Sequence, residues 1–178
     1  MAKKLIIFTD IGDTVIDQGS EVREESSAVV IDSACIPGAK ETMLEINRLG
    51  YTVVMVADGL VQSFHNSMRI NGLEHIFSGW VISEAVGVRK PDAKMFDTAF
   101  ESIGLTEADK KRVIMVGNHI GRDVAGANRY GIRSVLLTWS PRYGYEPSCP
   151  DEVPTYTIAE PCELLPLVER LERELENE

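Results

Sequence analysis

Five short, mainly apolar runs punctuate the chain, Leu5–Phe8, Tyr51–Ala57, Trp80–Ile82, Val113–Val116 and Ser134–Leu137, and Tyr156–Ile158 offers an additional sixth strand. The runs are apolar at consecutive rather than alternate positions, which predicts strands covered on both faces. Between them the apolar residues recur at helical spacing. Pro37-Gly38 opens a helix built on Met43, Leu44, Ile46 and Leu49 and stopped at Gly50, and a second helix runs from Leu60 to Ile70 before Asn71-Gly72. Asp92–Ile103 ends at Gly104, Thr106–Asp109 reads as a capping-type start, and Asp123–Tyr130 is closed by Gly131. The last helix, Cys162–Glu176, carries Leu164, Leu165, Val168, Leu171 and Leu175 on one stripe. Strands alternating with helices predict an α/β fold: a parallel sheet between two helical layers, in a single domain over residues 1–178. Two segments stand outside the alternation. Thr14–Ile36 is polar and β-prone and reads as a hairpin or flap, and Trp139–Pro154, rich in Pro, Gly, Ser and Tyr, reads as a loop.

Composition narrows the partners. The 178 residues are 44% apolar, enough for one full core, and 28 acidic against 18 basic side chains give a net charge of -10. That balance argues against nucleic acid, whose binding needs a basic face. Much of the acidity lies at Glu160, Glu163, Glu169, Glu172, Glu174, Glu176 and Glu178, the solvated side of the last helix and its flanks. Cys35, Cys149 and Cys162 are odd in number and widely spaced, suggesting neither disulfides nor zinc and pointing to a reducing cytoplasm. Leu5–Phe8 after Met1-Ala2-Lys3-Lys4 is too short for a signal-peptide core, and no run approaches a membrane span. The expectation is a cytoplasmic protein with no membrane partner.

The candidate chemistry gathers at the C-terminal ends of the strands. Asp10 follows the first, Ala57-Asp58-Gly59 the second and Asn118 the fourth, and Arg89-Lys90-Pro91 lies between the third strand and its helix. In a doubly wound sheet these loops share one rim, where ligands bind. Taken alone, Asp10 is a turn residue, Lys90 a surface lysine and Asp123 a helix N-cap. Taken together, they suit a crevice for phosphate and metal, with a carboxylate nucleophile whose repulsion from phosphate is offset by Lys90 and a divalent cation.

Four segments carry a resemblance: Asp10-Ile11-Gly12-Asp13-Thr14; Val53-Val54-Met55-Val56-Ala57-Asp58-Gly59; Arg89-Lys90-Pro91-Asp92; and Val116-Gly117-Asn118 with Arg122-Asp123-Val124-Ala125-Gly126-Ala127. In this order they resemble the four motifs of the haloacid dehalogenase-like (HAD) hydrolase superfamily. The resemblance implies a Rossmann-like HAD fold with strand order 5-4-1-2-3. It implies a phosphorylated substrate, Asp10 as the nucleophile that forms an aspartyl-phosphate, and Lys90 as charge clamp and substrate ligand. Ala57, Asp58 and Gly59 match the substrate-binding motif, and Asp10, Gly12 (through its carbonyl), Asn118 and Asp123 match the Mg2+ ligands. About twenty residues separate Thr14 from Pro37 and about thirty separate Gly59 from Lys90, so neither gap holds a separate cap domain. Capless members of this family often take large substrates or pair with a neighbouring subunit, which implies a homo-oligomer.

The chain also departs from the motifs. Gly12 stands where the family places its general acid/base Asp, and Asp13, one residue on, reads as a turn residue instead. Ala57 replaces a phosphate-binding Ser or Thr, and Asn118 replaces a metal-binding Asp. The reading is a metal-dependent HAD-type phosphatase; the alternative is a weakly active or inactive HAD-fold protein with a binding or assembly role. A dehalogenase would also lack the second Asp but uses a cap, and a phosphonate hydrolase needs a cap lysine. Trp139, Arg142, Tyr143 and Tyr145 follow the fifth strand on the same rim, either contacting substrate or stapling their own loop.

Overall fold

The computed structural model describes residues 4–177. Met1–Lys3, named above before the first apolar run, and Glu178, part of the acidic C-terminal tract, lie outside the described residues. The main sheet holds six parallel strands: β1 (Ile6–Thr9), β4 (Thr52–Ala57), β5 (Phe77–Ile82), β6 (Val113–Gly117), β7 (Arg133–Leu137) and β8 (Tyr156–Ile158). Their order is β5-β4-β1-β6-β7-β8, which contains the implied 5-4-1-2-3 order and adds β8 beside β7. β1 is central, pairing Ile6 with Thr52 on one side and with Val113 on the other.

Successive strand residues point to opposite faces, and this divides the core into two layers. Leu5, Ile7, Val53, Met55, Ala57, Ile114 and Val116 pack with Met43 and Ile46 of α1 (Ala39–Arg48), Met68 of α2 (Val61–Ile70) and Leu164, Val168 and Leu171 of α6 (Leu164–Glu176). Ile6, Phe8, Val54, Val56 and Met115 pack on the other face with Met95, Phe96, Ala99 and Phe100 of α4 (Ala93–Ser102) and Ala127 of α5 (Ala125–Tyr130). Phe8 meets Phe100 edge-on at 5.6 Å between ring centroids.

The Thr14–Ile36 segment is a flap built on a two-stranded antiparallel sheet, β2 (Val22–Arg23) with β3 (Val30–Asp32). Polar side chains tie it to α2: Ser63 Oγ accepts from the Val30 N–H at 2.9 Å, Asn66 Nδ2 donates to the Val30 carbonyl at 2.8 Å, and the hydroxyls of Ser33 and Ser67 are 2.9 Å apart.

The sequence pattern places several boundaries too narrowly or too early. β5 starts at Phe77, three residues before the predicted Trp80, because it pairs with β4 from Val53↔Phe77 onward. The helix predicted over Asp123–Tyr130 begins instead as a π-turn, Ile120–Val124, with α5 following. Cys162 lies in a 3-10 turn that precedes α6, and a short helix, α3 (Ser83–Val86), follows β5 directly. Thr106 and Asp109 form the expected reciprocal cap. Among the described residues no helix is long and apolar enough to cross a membrane.

Candidate active site

Asp10 follows β1 and takes a backbone hydrogen bond across to β6, its N–H donating to the Val116 carbonyl at 2.9 Å. This holds the residue at the sheet's C-terminal rim. Lys90 arrives from the loop before α4 and is almost wholly enclosed, its side chain 1% exposed. Its Nζ donates to Asp10 Oδ1 at 2.9 Å, to Asp123 Oδ1 at 2.7 Å and to the Val56 carbonyl at the end of β4 at 2.7 Å. Three acceptors match the three ammonium protons. Burial works against the Lys90 charge, but Asp10, Asp123 and Asp58 outweigh it and hold the ammonium above its ordinary range. Burial pushes the Asp10 carboxyl up, and the Lys90 charge opposes that push.

Asp123 is buried within the π-turn and uses both oxygens, Oδ1 for Lys90 and Oδ2 for the His119 N–H at 3.0 Å. The turn passes so close to β6 that a Cβ at Gly117 would lie 2.3 Å from Asp123 Cγ. Glycine at 117 therefore makes room for the carboxylate that grips Lys90. Asp123 is an interior member of the turn, and its side chain does not cap α5, whose N-cap position is Val124.

These groups open into a crevice of about 560 Å³, walled by the flap, α2, the loop after β5 and the π-turn. Asp10, Gly12, Asp58, Gly59, Lys90, Asn118 and Asp123 all line it. Ala57 does not. Alternation along β4 turns it with Val53 and Met55 into the α1 and α6 layer, so the motif reaches the crevice only beyond the strand end. Asp58 turns its Oδ1 onto the Lys90 N–H at 3.1 Å, and the Gly59 N–H donates to Ser83 Oγ at 2.9 Å.

Asp13 sits apart from this group. It has φ of 52° and a fully buried side chain that accepts from the Gln18 N–H at 2.9 Å, Ser140 Oγ at 3.0 Å and Arg142 Nε at 2.6 Å. The rim loop divides accordingly. Arg142 anchors Asp13, Tyr145 bonds the Ser140 carbonyl, Trp139 packs on the core, and Tyr143 alone of the four lines the crevice. His119 lies against the Tyr143 ring, 4.7 Å between centroids. Burial, helped by Arg122, lowers the imidazole's proton affinity.

Among the described residues no three His, Cys, Asp or Glu side chains gather into a metal cluster. Oxygen-bearing residues that line the crevice include Asp10, Gly12, Gln18, Asp58, Asn118 and Asp123. Asn118 is buried and its Nδ2 has no partner among the described residues. Sequence reasoning missed several residues that reach the crevice, Gln18 and Ser83 among them. Gln18 comes from a turn in the flap, which no strand-end pattern marks; Ser83 directly follows β5, where the predicted strand end offered a signal.

Residues 10–137 match the family model of the haloacid dehalogenase-like hydrolases, and the chain belongs to that family. The glyceraldehyde 3-phosphate phosphatase of Methanopyrus kandleri is 32% identical over 139 residues, 78% of this chain and 58% of that protein. The phosphoserine phosphatase of Thermus thermophilus is 30% identical over 70% of this chain and 47% of that protein. The chain thus spans about half the length of the curated relatives it matches. Among solved structures, the putative HAD-hydrolase YfnB from Bacillus subtilis bound to magnesium superposes with a TM-score of 0.74 at 16% identity, over 93% of this chain and 99% of that one. A dehalogenase with an intermediate complex gives 0.76 at 15%, over 94% and 98%. Both show the same fold.

Proposed function

We propose that the protein is a phosphatase that hydrolyses phosphate monoesters through a phosphoryl group carried on Asp10. The observation that carries this reading is the Lys90 ammonium, enclosed and shared between Asp10 and Asp123 at the floor of an open crevice. A permanent cation bonded to a carboxylate at a strand end has little structural purpose that an apolar pair would not serve. Beside an incoming phosphate it offsets the repulsion between two anions. Relatives named as phosphatases support the same class.

In this reading Asp10 Oδ2, the oxygen not bonded to Lys90, attacks phosphorus as the bond to the leaving oxygen breaks. Water then attacks the phosphorus of the aspartyl-phosphate, releasing inorganic phosphate and the free carboxylate. Lys90 holds Asp10 in position and remains protonated throughout. Arg122, 3.8 Å from Asp58 and stacked over the Tyr143 ring at 5.5 Å, stands beside the crevice as a second cation for phosphate oxygens.

The donor set fits Mg2+: hard oxygens, one full carboxylate, and an unpartnered carboxamide whose oxygen and nitrogen exchange places by a simple flip. Asp10, the Gly12 carbonyl and Asn118 would hold it, and Asp123, whose oxygens serve Lys90 and the His119 N–H, would orient Lys90. When bound, the ion supplies further charge against the phosphoryl oxygens.

The test is hydrolysis of p-nitrophenyl phosphate and of phosphorylated small hydroxy acids and sugars, with and without Mg2+. Wild type is expected to turn over with Mg2+, and Asp10→Asn to lose the activity. An Asp10→Asn protein as active as wild type sinks the mechanism.

A further inference from the structure

Gly12 leaves the reaction without a side chain to pass protons at the family's acid/base position, and the space there is filled from the flap. A Cβ built on Gly12 would lie 2.0 Å from Gln18 Nε2, 2.8 Å from its Cδ and 3.0 Å from its Cγ. The Gly12 backbone is not in the left-handed region, so the main chain admits a side chain and Gln18 is what excludes one. Gln18 is held there. Its N–H donates to buried Asp13, and the next N–H, of Gly19, donates to Asp17 at 2.8 Å. The carboxamide lines the crevice with Asp10 and Gly12 and makes no hydrogen bond to protein among the described residues, so both of its N–H donors and its carbonyl are free for a ligand.

We infer that Gln18 binds the leaving-group oxygen and the attacking water at the place where a side chain on residue 12 would stand, and so selects esters whose leaving group departs unprotonated. This rests on the Asp10 phosphatase reading. A carboxamide donates a hydrogen bond to the departing oxygen but does not surrender its proton. The P–O bond therefore breaks with its electron pair on the leaving oxygen, which takes a proton from solvent afterwards. In the second step the amide carbonyl accepts a hydrogen bond from the attacking water and orients it, and the water's proton passes to bulk solvent. The substrates so favoured are aryl, enol and acyl phosphates, whose leaving oxyanions are stable, over simple alkyl phosphates.

The experiment measures kcat and KM across a series of aryl and alkyl phosphates for wild type, Gln18→Met, Gly12→Asp and the Gly12→Asp/Gln18→Ala pair. Thermal melts and intact-mass detection of the phosphoryl adduct accompany each. Wild-type kcat/KM is expected to fall steeply as leaving-group pKa rises. Gln18→Met, close in volume and without donors, should lower kcat by about three- to tenfold, with KM and the melting temperature unchanged. The double variant, with room for the new carboxyl, should flatten the leaving-group dependence and gain about 10²- to 10⁴-fold on alkyl phosphates. Gly12→Asp alone should gain far less, the two positions being non-additive. A flat wild-type series, Gln18→Met at wild-type rates, or Gly12→Asp gaining as much as the pair would each overturn the assignment while the adduct on Asp10 preserves the phosphatase reading. Absence of both adduct and turnover in wild type removes the two together.

Discussion

Asp10 and Asp13 lie three residues apart in one turn, each bonded to a cation, and they serve opposite ends. Asp13 is fully enclosed, and its oxygens accept from the Gln18 N–H, Ser140 and an Arg142 whose side chain is 42% exposed. Both oxygens accept hydrogen bonds from the protein, and the cation's side chain is partly exposed to solvent. Around Asp10 the arrangement is inverted: the cation is enclosed, and the carboxylate, 15% exposed, opens into a crevice with one oxygen free of Lys90. Burial and ion pairing are common to both pairs. What separates the proposed nucleophile from its structural neighbour is which partner is sealed and whether an acceptor is left facing the crevice.

The sharpest way to break this contrast is Asp10→Asn. Activity should fall by about 10⁴-fold or more in kcat. The sign for stability is the reverse: a carboxyl whose pKa is raised on folding stabilises below its unfolded pKa, and that contribution is lost as pH rises through the folded value. At pH 7 Asp10→Asn should therefore unfold at the same urea concentration as wild type, or a higher one.

Lys90→Met should be the most destabilising single change in the site. It strands Asp10 and Asp123 without their common counter-ion, a loss of about 3–5 kcal/mol in urea titrations at neutral pH. Lowering the pH should recover part of it as Asp10 protonates. An Lys90→Met protein as stable as wild type would mean that the enclosed ammonium contributes nothing to the fold.

Asp13→Asn separates the two aspartates from the other side. Asn tolerates the positive φ, so the change removes charge and one acceptor, costing about 1–3 kcal/mol. Turnover should drop less than tenfold, through the loosened hold on Gln18. A collapse of activity with the melt unchanged would place Asp13 in the reaction after all.

The smallest effect is expected at Asp109, a buried carboxylate far along the chain that caps its own turn. It accepts from the Thr106 N–H at 2.9 Å and from Arg112 Nε at 2.9 Å. The Thr106 bond foremost, with Arg112, holds its carboxyl well below the usual carboxylate range. A depressed pKa stabilises above the unfolded value of about 4 and is lost as pH falls through the folded one. Asp109→Asn should cost about 1 kcal/mol at pH 7, the scale of a lost cap. The cost should persist at pH 5 and shrink below about pH 4, with activity untouched.

The sheet was legible in sequence because its strands are buried on both faces, which leaves consecutive apolar residues that no surface helix needs. The convergence of Asp10, Lys90, Asn118 and Asp123 followed from the rule that strand-end loops share a rim. Ala57 misled because it is the last residue of β4, where a one-residue shift moves a side chain from crevice to core. The π-turn was hidden: the His119 carbonyl accepts the N–H groups of Arg122, Asp123 and Val124, an arrangement set by the grip of Asp123 on Lys90 rather than by local propensity. Gln18 was illegible because its importance lies in filling a space that another residue's missing side chain leaves, a relation visible only in three dimensions.

The ties between the flap and α2 have a kinetic consequence. Ser63 and Asn66 pin both polar groups of Val30, and Asn71 Nδ2 bonds the Ser33 carbonyl at 3.0 Å, so this wall of the crevice is a fixed jamb rather than a swinging door. Ligand association should then proceed without an isomerisation. In stopped flow the observed rate would climb linearly with ligand concentration instead of levelling off, and viscogens would slow only the diffusional encounter.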